Sequence, residues 1–141
     1  MMRFFILLFL FYSNIYYSQV VKNNDWNVTQ EKAQKSGKKI LIILTGSDWC
    51  KPCIKMKKNV IETIEFENYA EANVEIFEIN LPRNQDVNSK VFKDYHYFKN
   101  KFNTNELPTI VLLDNKSNEL VKISNGLASK EKVILTLSKY N

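Results

Sequence analysis

Residues 39–53 read KILIILTGSDWCKPC. The segment Lys39–Thr45 contains ILIIL, a continuous β-branched and leucine run that suits a strand covered on both faces, as at the centre of a parallel sheet. Gly46-Ser47-Asp48 breaks the run, and Trp49-Cys50-Lys51-Pro52-Cys53 then opens a helical pattern to about Val60. Ile54 and Met56 are expected on its buried face and Lys57-Lys58 on its wet face. A strand that runs into a helix puts Cys50 at the helix N-terminus, where unpaired N–H groups and the macrodipole favour an anion. Such placement lowers a thiol pKa from about 8.5 into roughly the 3.5–7.5 range. The thiolate is the attacking species in disulfide exchange, so Cys50 is the expected nucleophile. Cys53, one turn on, is positioned to attack the resulting mixed disulfide and release the partner. Lys51 adds a cation near Cys50, Pro52 lies in the first turn where its missing N–H costs least, and Trp49 is a flat apolar neighbour of the reactive sulfur.

The rest of the chain arranges itself around this unit. Asp25 can cap a helix DWNVTQEKAQKS that Gly37 stops, with Trp26, Ala33 and Gln30 on one face. Glu62–Ala72 suits a second helical segment with Ile64, Phe66 and Tyr69 inward, and Val74–Ile79 (VEIFEI) reads as a strand. After a loop from Pro82, the residues Val87, Val91, Tyr95, Phe98 and Phe102 recur at helical spacing and form a core stripe. Thr109–Leu113 (TIVLL) is another buried strand, Asp114–Asn118 a turn and Glu119–Ile123 its hairpin partner. Gly126 punctuates, Ser129 can cap, and Val133, Ile134, Leu137 and Tyr140 mark a closing helix. The order begins with a βαβ unit and ends with a hairpin and a helix, which gives an α/β fold with a central mixed β-sheet flanked by helices.

Composition agrees. A chain of 141 residues, 45% apolar, with 3 Gly and 3 Pro, is one globular domain. Two cysteines make neither a disulfide-dense scaffold nor a tetrahedral zinc site, and a bridge between residues 50 and 53 closes too small a loop to add much stability. The pair is therefore expected to serve chemistry rather than to staple the fold. The formal charge is +5, and all but two of the 20 basic residues are lysines scattered among acids. Nucleic-acid binding would favour a concentrated, arginine-rich patch, so a solvated surface is expected and no nucleic-acid partner.

At the N-terminus, Arg3 precedes the apolar run Phe4–Tyr12. That run is too short to span a membrane, which takes roughly 20 residues, and fits a secretory signal peptide over residues 1–18. Ser18 would be the small residue before a cut ahead of Gln19, although Tyr16, three positions before the cut, is bulkier than usual. The other reading of this segment is an uncleaved anchor. On the first reading, residues 19–141 form the mature domain, placed in the periplasm or outside the cell.

The stretch TGSDWCKPC after an apolar strand, together with Leu107-Pro108-Thr109 before another, resembles the active site of the thioredoxin superfamily. Within it the chain is similar to secreted bacterial thioredoxin-like proteins and to the C-terminal domain of the periplasmic thiol:disulfide interchange reductase. The resemblance covers residues 25–140. It implies a thioredoxin-like fold and a redox-active Cys50–Cys53 disulfide with no other cofactor. It also implies a cis bond at Pro108, the one kind of peptide bond where cis is affordable, with Leu107 contacting extended substrate backbone, and it matches the family's late glycine to Gly126. The implied activity is thiol:disulfide oxidoreduction on protein disulfides by a monomer. Lys51-Pro52 keeps the proline of reducing members and lacks the histidine of strongly oxidising ones, which points towards a reductant. A reductant outside the cytoplasm needs electrons from a membrane-bound thiol reductase. One position departs: six residues before the first cysteine, where thioredoxin carries a buried acid, this chain has Leu44, and neither Asp48 nor Glu62 stands in for it. Residues 83–103 are also longer than the matching part of a minimal thioredoxin.

The cysteine pair and its surroundings admit other readings. The disulfide could be an inert structural link. Cys50, Cys53, Met56 and His96 are ligand types that suit Cu(I), which would make the chain a non-enzymatic module binding copper or client polypeptides. No second cysteine pair is present for zinc, and Ile54 rather than histidine follows Cys53, which excludes a c-type haem site. The preferred metal assignment is none, with His96 as a partly exposed surface residue and Met56 as core filler. The aromatic and basic residues of FKDYHYFKNKF are explained by helical core spacing rather than by nucleic acid.

Overall fold

The computed structural model describes residues 21–124 and 129–141. The leader segment and Gly126 lie outside the described residues. Strand β1 is Lys22–Asn23, helix α1 Trp26–Ser36, β2 Lys39–Thr45 and α2 Lys51–Met56. A π-helical segment, Lys57–Ile61, continues α2, and α3 is Ile64–Asn73, β3 Val74–Asn80 and α4 Lys90–Lys101. β4 is Thr109–Leu113, β5 Glu119–Ile123 and α5 Lys130–Ser138. The five strands form one sheet in the order β1-β3-β2-β4-β5. β1, β3 and β2 are parallel, while β4 runs antiparallel to β2 and to β5, so the sheet is mixed as expected.

The caps behave as the sequence suggested. Asp25 accepts from Val28 N, Gly37 ends α1 at φ 73°, Thr63 and Ser89 cap α3 and α4, and Ser129 caps α5 by accepting from Lys132 N. Six of the seven β2 residues are buried. Their alternation divides the core. Leu41 and Ile43 pack with Met56, Val60, Phe66, Tyr69, Val133 and Leu137 under α2, α3 and α5. Ile40, Ile42 and Leu44 pack on the other side with Phe77, Tyr95, Phe98 and Phe102, where α1 and α4 lie. On that second face Trp26, Phe77 and Phe98 meet with ring centroids 5.0–5.5 Å apart in tilted and edge-on contacts.

Several local expectations are corrected. Ile54 and Ile64 are 45% and 59% exposed rather than inward. In α2 the inward positions are Cys53 and Met56, one turn apart and offset from Ile54. In α3 they are Phe66, Tyr69 and Ala70. Val87 precedes α4 and is 61% exposed, because the helix begins only at Lys90. Tyr140 lies beyond the end of α5 and is 38% exposed. Gln30 is only half-buried, and Thr29 holds the buried position beside Ala33. The π-helical segment carries the adjacent Val60 and Ile61, both in the core. Strand β1 was not expected: two residues carry no periodicity, and pairing with β3 and the 3.6 Å ion pair Lys22–Glu78 define it.

Two outcomes follow. Phe77→Ala leaves a void in the aromatic cluster and is expected to lower unfolding stability by about 3–5 kcal/mol in urea titrations. At the β4–β5 turn, Asp114 accepts from Asn118 Nδ2 and from the backbone N–H groups of Asn118 and Lys116. These bonds, the Asn118 side chain first, hold the Asp114 carboxyl below the usual carboxylate range. A carboxyl lowered in the folded state stabilises it above the ordinary value of about 4, and that contribution is lost as pH falls through the lower folded value. Asp114→Ala should therefore cost about 1 kcal/mol near neutral pH, in this water-accessible turn. Urea midpoints of the two proteins should converge as pH is lowered below the ordinary carboxylate value.

Candidate active site

The motif leaves the buried end of β2 and turns at once. Cys50 N and Trp49 N donate to Gly46 O at 2.8 and 3.2 Å, which closes a tight turn over Gly46–Cys50. Cys50 is then the N-cap residue of α2: its Sγ accepts from Cys53 N at 3.4 Å and its carbonyl from Ile54 N at 3.0 Å. Pro52 stands in the first turn of α2, where no intrahelical donor is lost. Cys50 and Cys53 are joined by a disulfide with a Cα–Cα distance of 5.2 Å. Burial distinguishes the two sulfur residues: Cys50 is 8% exposed and Cys53 fully buried. Lys51 and Pro52 are exposed beside them, and Trp49 is half-buried.

From the other side, the loop before β4 reaches the same point. The Leu107–Pro108 bond is cis, and Leu107 O lies 3.8 Å from Cys50 Sγ. Leu107 is half-buried and Pro108 buried. The structure thus gathers Trp49, Cys50, Lys51, Pro52, Cys53, Leu107 and Pro108 at the ends of β2 and β4.

Residues that the sequence did not single out hold this turn in place. Segment 45–49 is latched to segment 80–83, just beyond β3. Leu81 N donates to Thr45 O at 2.8 Å, and Trp49 Nε1 donates to Leu81 O at 2.8 Å. Asn80 accepts from Ser47 N at 2.9 Å and donates to Ser47 Oγ at 2.6 Å. Asp48 accepts from Arg83 N at 3.3 Å. Asn80 ends a strand and is exposed, so nothing in its sequence context marks it. Gly46 has a steric role besides breaking the strand: a Cβ there would lie 2.7–2.8 Å from the Trp49 ring.

The alternative copper set is not brought together. Met56 packs under α2 on one face of the sheet, while His96 sits on α4 on the other, half-exposed with its ring 4.2 Å from that of Phe92. Among the described residues no group of three or more His, Cys, Asp or Glu side chains is placed to hold a metal ion. Leu44 points into the α1/α4 face of the core with Trp49 and Leu107, away from Met56 of the active-site helix.

A family model described as a thioredoxin-like domain matches residues 26–141. The thioredoxin-related protein DsbJ of Chlamydia pneumoniae is 27% identical over 106 residues, which are 75% of this chain and 30% of that protein. Disulfide bond reductase DsbH of the same organism is 25% identical over 93 residues, 66% of this chain and 56% of that protein. The chain thus matches less than two thirds of the length of either relative. Among solved structures, DsbH Oxidoreductase superposes with a TM-score of 0.76 at 19% identity, over 86% of this chain and 84% of that one. The reduced C-terminal domain of Neisseria meningitidis DsbD superposes with a TM-score of 0.63 at 14% identity, over 82% and 93%. These structural likenesses bear on the fold.

Gly46→Ala tests the seat of Trp49. The added methyl must displace the indole and break its bond to Leu81 O. The expected result is a stability loss of about 1–3 kcal/mol in urea unfolding, as for other overpacked sites, with a changed tryptophan emission spectrum.

Proposed function

The chain belongs to the thioredoxin-like family, and from that premise we propose that it is an exported thiol:disulfide oxidoreductase that reduces protein disulfides. The observation that carries this reading is the Cys50–Cys53 disulfide at the start of α2, with Cys50 Sγ 3.8 Å from Leu107 O beside the cis Pro108. The likeness to a protein described as a disulfide bond reductase supports the direction, as does the Lys51-Pro52 dipeptide.

In the proposed cycle the reduced protein presents Cys50 as a thiolate, stabilised by the Cys53 N–H and the α2 N-terminus. That thiolate attacks a client disulfide. A bond forms between Cys50 and one client sulfur, and the other client sulfur leaves as a thiolate. Cys53, as a thiolate, then attacks the Cys50 sulfur. The internal disulfide closes, the second client thiolate departs, and the client has gained the two electrons the protein has lost. Leu107 O and Trp49 border the sulfur under attack and are assigned to client contact; Lys51 and Pro52 shape the exposed rim. Two electrons from a membrane-bound dithiol reductase restore the starting state. In this reading residues 1–18 are the export signal, residues 19–141 the working domain, the compartment periplasmic or extracellular, and the protein a monomer that needs no metal.

Purified protein is expected to catalyse reduction of insulin by dithiothreitol. Cys50→Ser should abolish turnover, and Cys53→Ser should accumulate mixed disulfides with clients that run as larger species on non-reducing gels. Glutathione titration should give a potential nearer to about −270 mV than to about −120 mV. Binding of polypeptides without turnover, with Cys53→Ser trapping nothing, would leave a binding module instead.

A further inference from the structure

Closing the internal disulfide requires Cys53 as a thiolate, and Cys53 is fully buried. A buried thiolate is costly unless a donor reaches it. The buried polar side chains among the described residues are Thr29, Thr45, Thr104 and Thr109, with no buried carboxylate, lysine or histidine. Three of the four hydroxyls are occupied. Thr29 donates to Asp25 O, Thr104 and Thr109 bond each other, and Thr109 also donates to Glu106 O. Thr45 is 2% exposed, and its Oγ1 has no partner in the disulfide form.

The position of that hydroxyl follows from strand geometry. Side chains alternate along β2, so Thr45 shares the face of Leu41 and Ile43, which pack with Met56 of α2. It is the last residue of β2, at the end from which the motif departs. In the ladder with β4, Leu44 stands opposite Thr109. One step further puts Thr45 level with Pro108, next to the Leu107 carbonyl that approaches Cys50. An unpartnered donor thus lies on the α2-covered face of the sheet, at the end where α2 and its buried second cysteine begin.

We infer that Thr45 is a positioning residue for Cys53: its hydroxyl donates a hydrogen bond to the Cys53 sulfur once the disulfide opens, directly or through one enclosed water. The inference rests on the proposed function and adds how its second step is managed. Thr45 keeps its own proton throughout. The Cys53 thiol loses its proton to water, Thr45 stabilises the resulting thiolate, and the thiolate then attacks the Cys50 sulfur as above. When a donor dithiol reopens the bridge, the hydroxyl stabilises the same sulfur as it leaves. Because the bond exists only in the dithiol state, it favours the reduced protein.

The test uses purified protein with Thr45→Val, which removes the hydroxyl and keeps the branched shape, and Thr45→Ser, which restores the hydroxyl. Thr45→Val is expected to move the glutathione equilibrium about tenfold towards the disulfide form, about 30 mV more negative for this two-electron couple. In a Cys50→Ala background it should raise the pH at which Cys53 titrates. Thr45→Ser should return both readings to those of the parent protein. Urea midpoints add an independent readout. Thr45→Val should leave the oxidised form as stable as the parent or more so, and should weaken the reduced form. A merely structural role would weaken both forms alike and leave the equilibrium unmoved. An equilibrium within twofold of the parent, or Thr45→Ser behaving as Thr45→Val, overturns the inference. Insulin reduction by the parent protein is measured alongside. Its absence overturns the proposed function, whereas its presence with an unmoved Thr45→Val equilibrium overturns only the role of Thr45.

Discussion

The pairing of β2 on both edges sets the frame for the site. Its backbone is hydrogen-bonded to β3 over Lys39–Thr45 and to β4 over Ile40–Leu44, and its side chains fill the core on both faces. A strand so enclosed cannot slip by one residue without exchanging Leu41 and Ile43 for Ile40, Ile42 and Leu44 across the sheet. Its last residue is therefore fixed relative to the ends of β3 and β4. The turn at Gly46 starts from that fixed point, and the bonds of Ser47 to Asn80 and of Trp49 to Leu81 anchor it again within the next three residues. The approach of Leu107 O to Cys50 Sγ follows, because one group hangs from the end of β2 and the other precedes the start of β4. Placement of the sulfurs is thus a property of the sheet, and α2 adds the donors.

Local signals in the chain carried most of this. The apolar run at 40–44, the caps at Asp25 and Ser129 and the turn over 114–118 each depend on a few neighbouring residues, and each appears as read. The errors came where a spacing argument lacked tertiary context. Ile54, Ile64 and Val87 are apolar and near helical phase, yet each projects outward. Their neighbours Cys53, Phe66 and Val91 hold the packed positions. β1 exists only because β3 offers it an edge.

The site divides in the same way. The cysteine pair was legible from residue type and spacing, and the cis bond at Pro108 from the family resemblance. Asn80 and Leu81 hold the turn through long-range contacts and a backbone carbonyl, and Thr45 stands out only by its place in the ladder; none of these leaves a mark in sequence. Leu44 shows the limit of counting positions. Six residues before Cys50 falls on the α1/α4 face of the sheet, with Tyr95 and Phe98. The face that α2 covers is reached one residue earlier, at Ile43, and by strand alternation one later, at Thr45.

Charge and burial separate in this protein in a way that orders the two sulfurs. The lysines near the motif, Lys51 and Lys55, are exposed, where water and salt screen them. Among the described residues, the buried polar side chains beneath are the neutral hydroxyls of threonines. The donor beside the Cys50 sulfur is the Cys53 N–H at the start of α2. For Cys53, shielded from solvent, the balance depends on whether a neutral donor turns towards it when the bridge opens. Cys50 is 8% exposed and Cys53 fully enclosed, so in the proposed cycle an exchange partner arriving from solvent meets Cys50 first. The same enclosure suits the proposed role of Cys53, in which closure of the internal disulfide resolves the mixed disulfide.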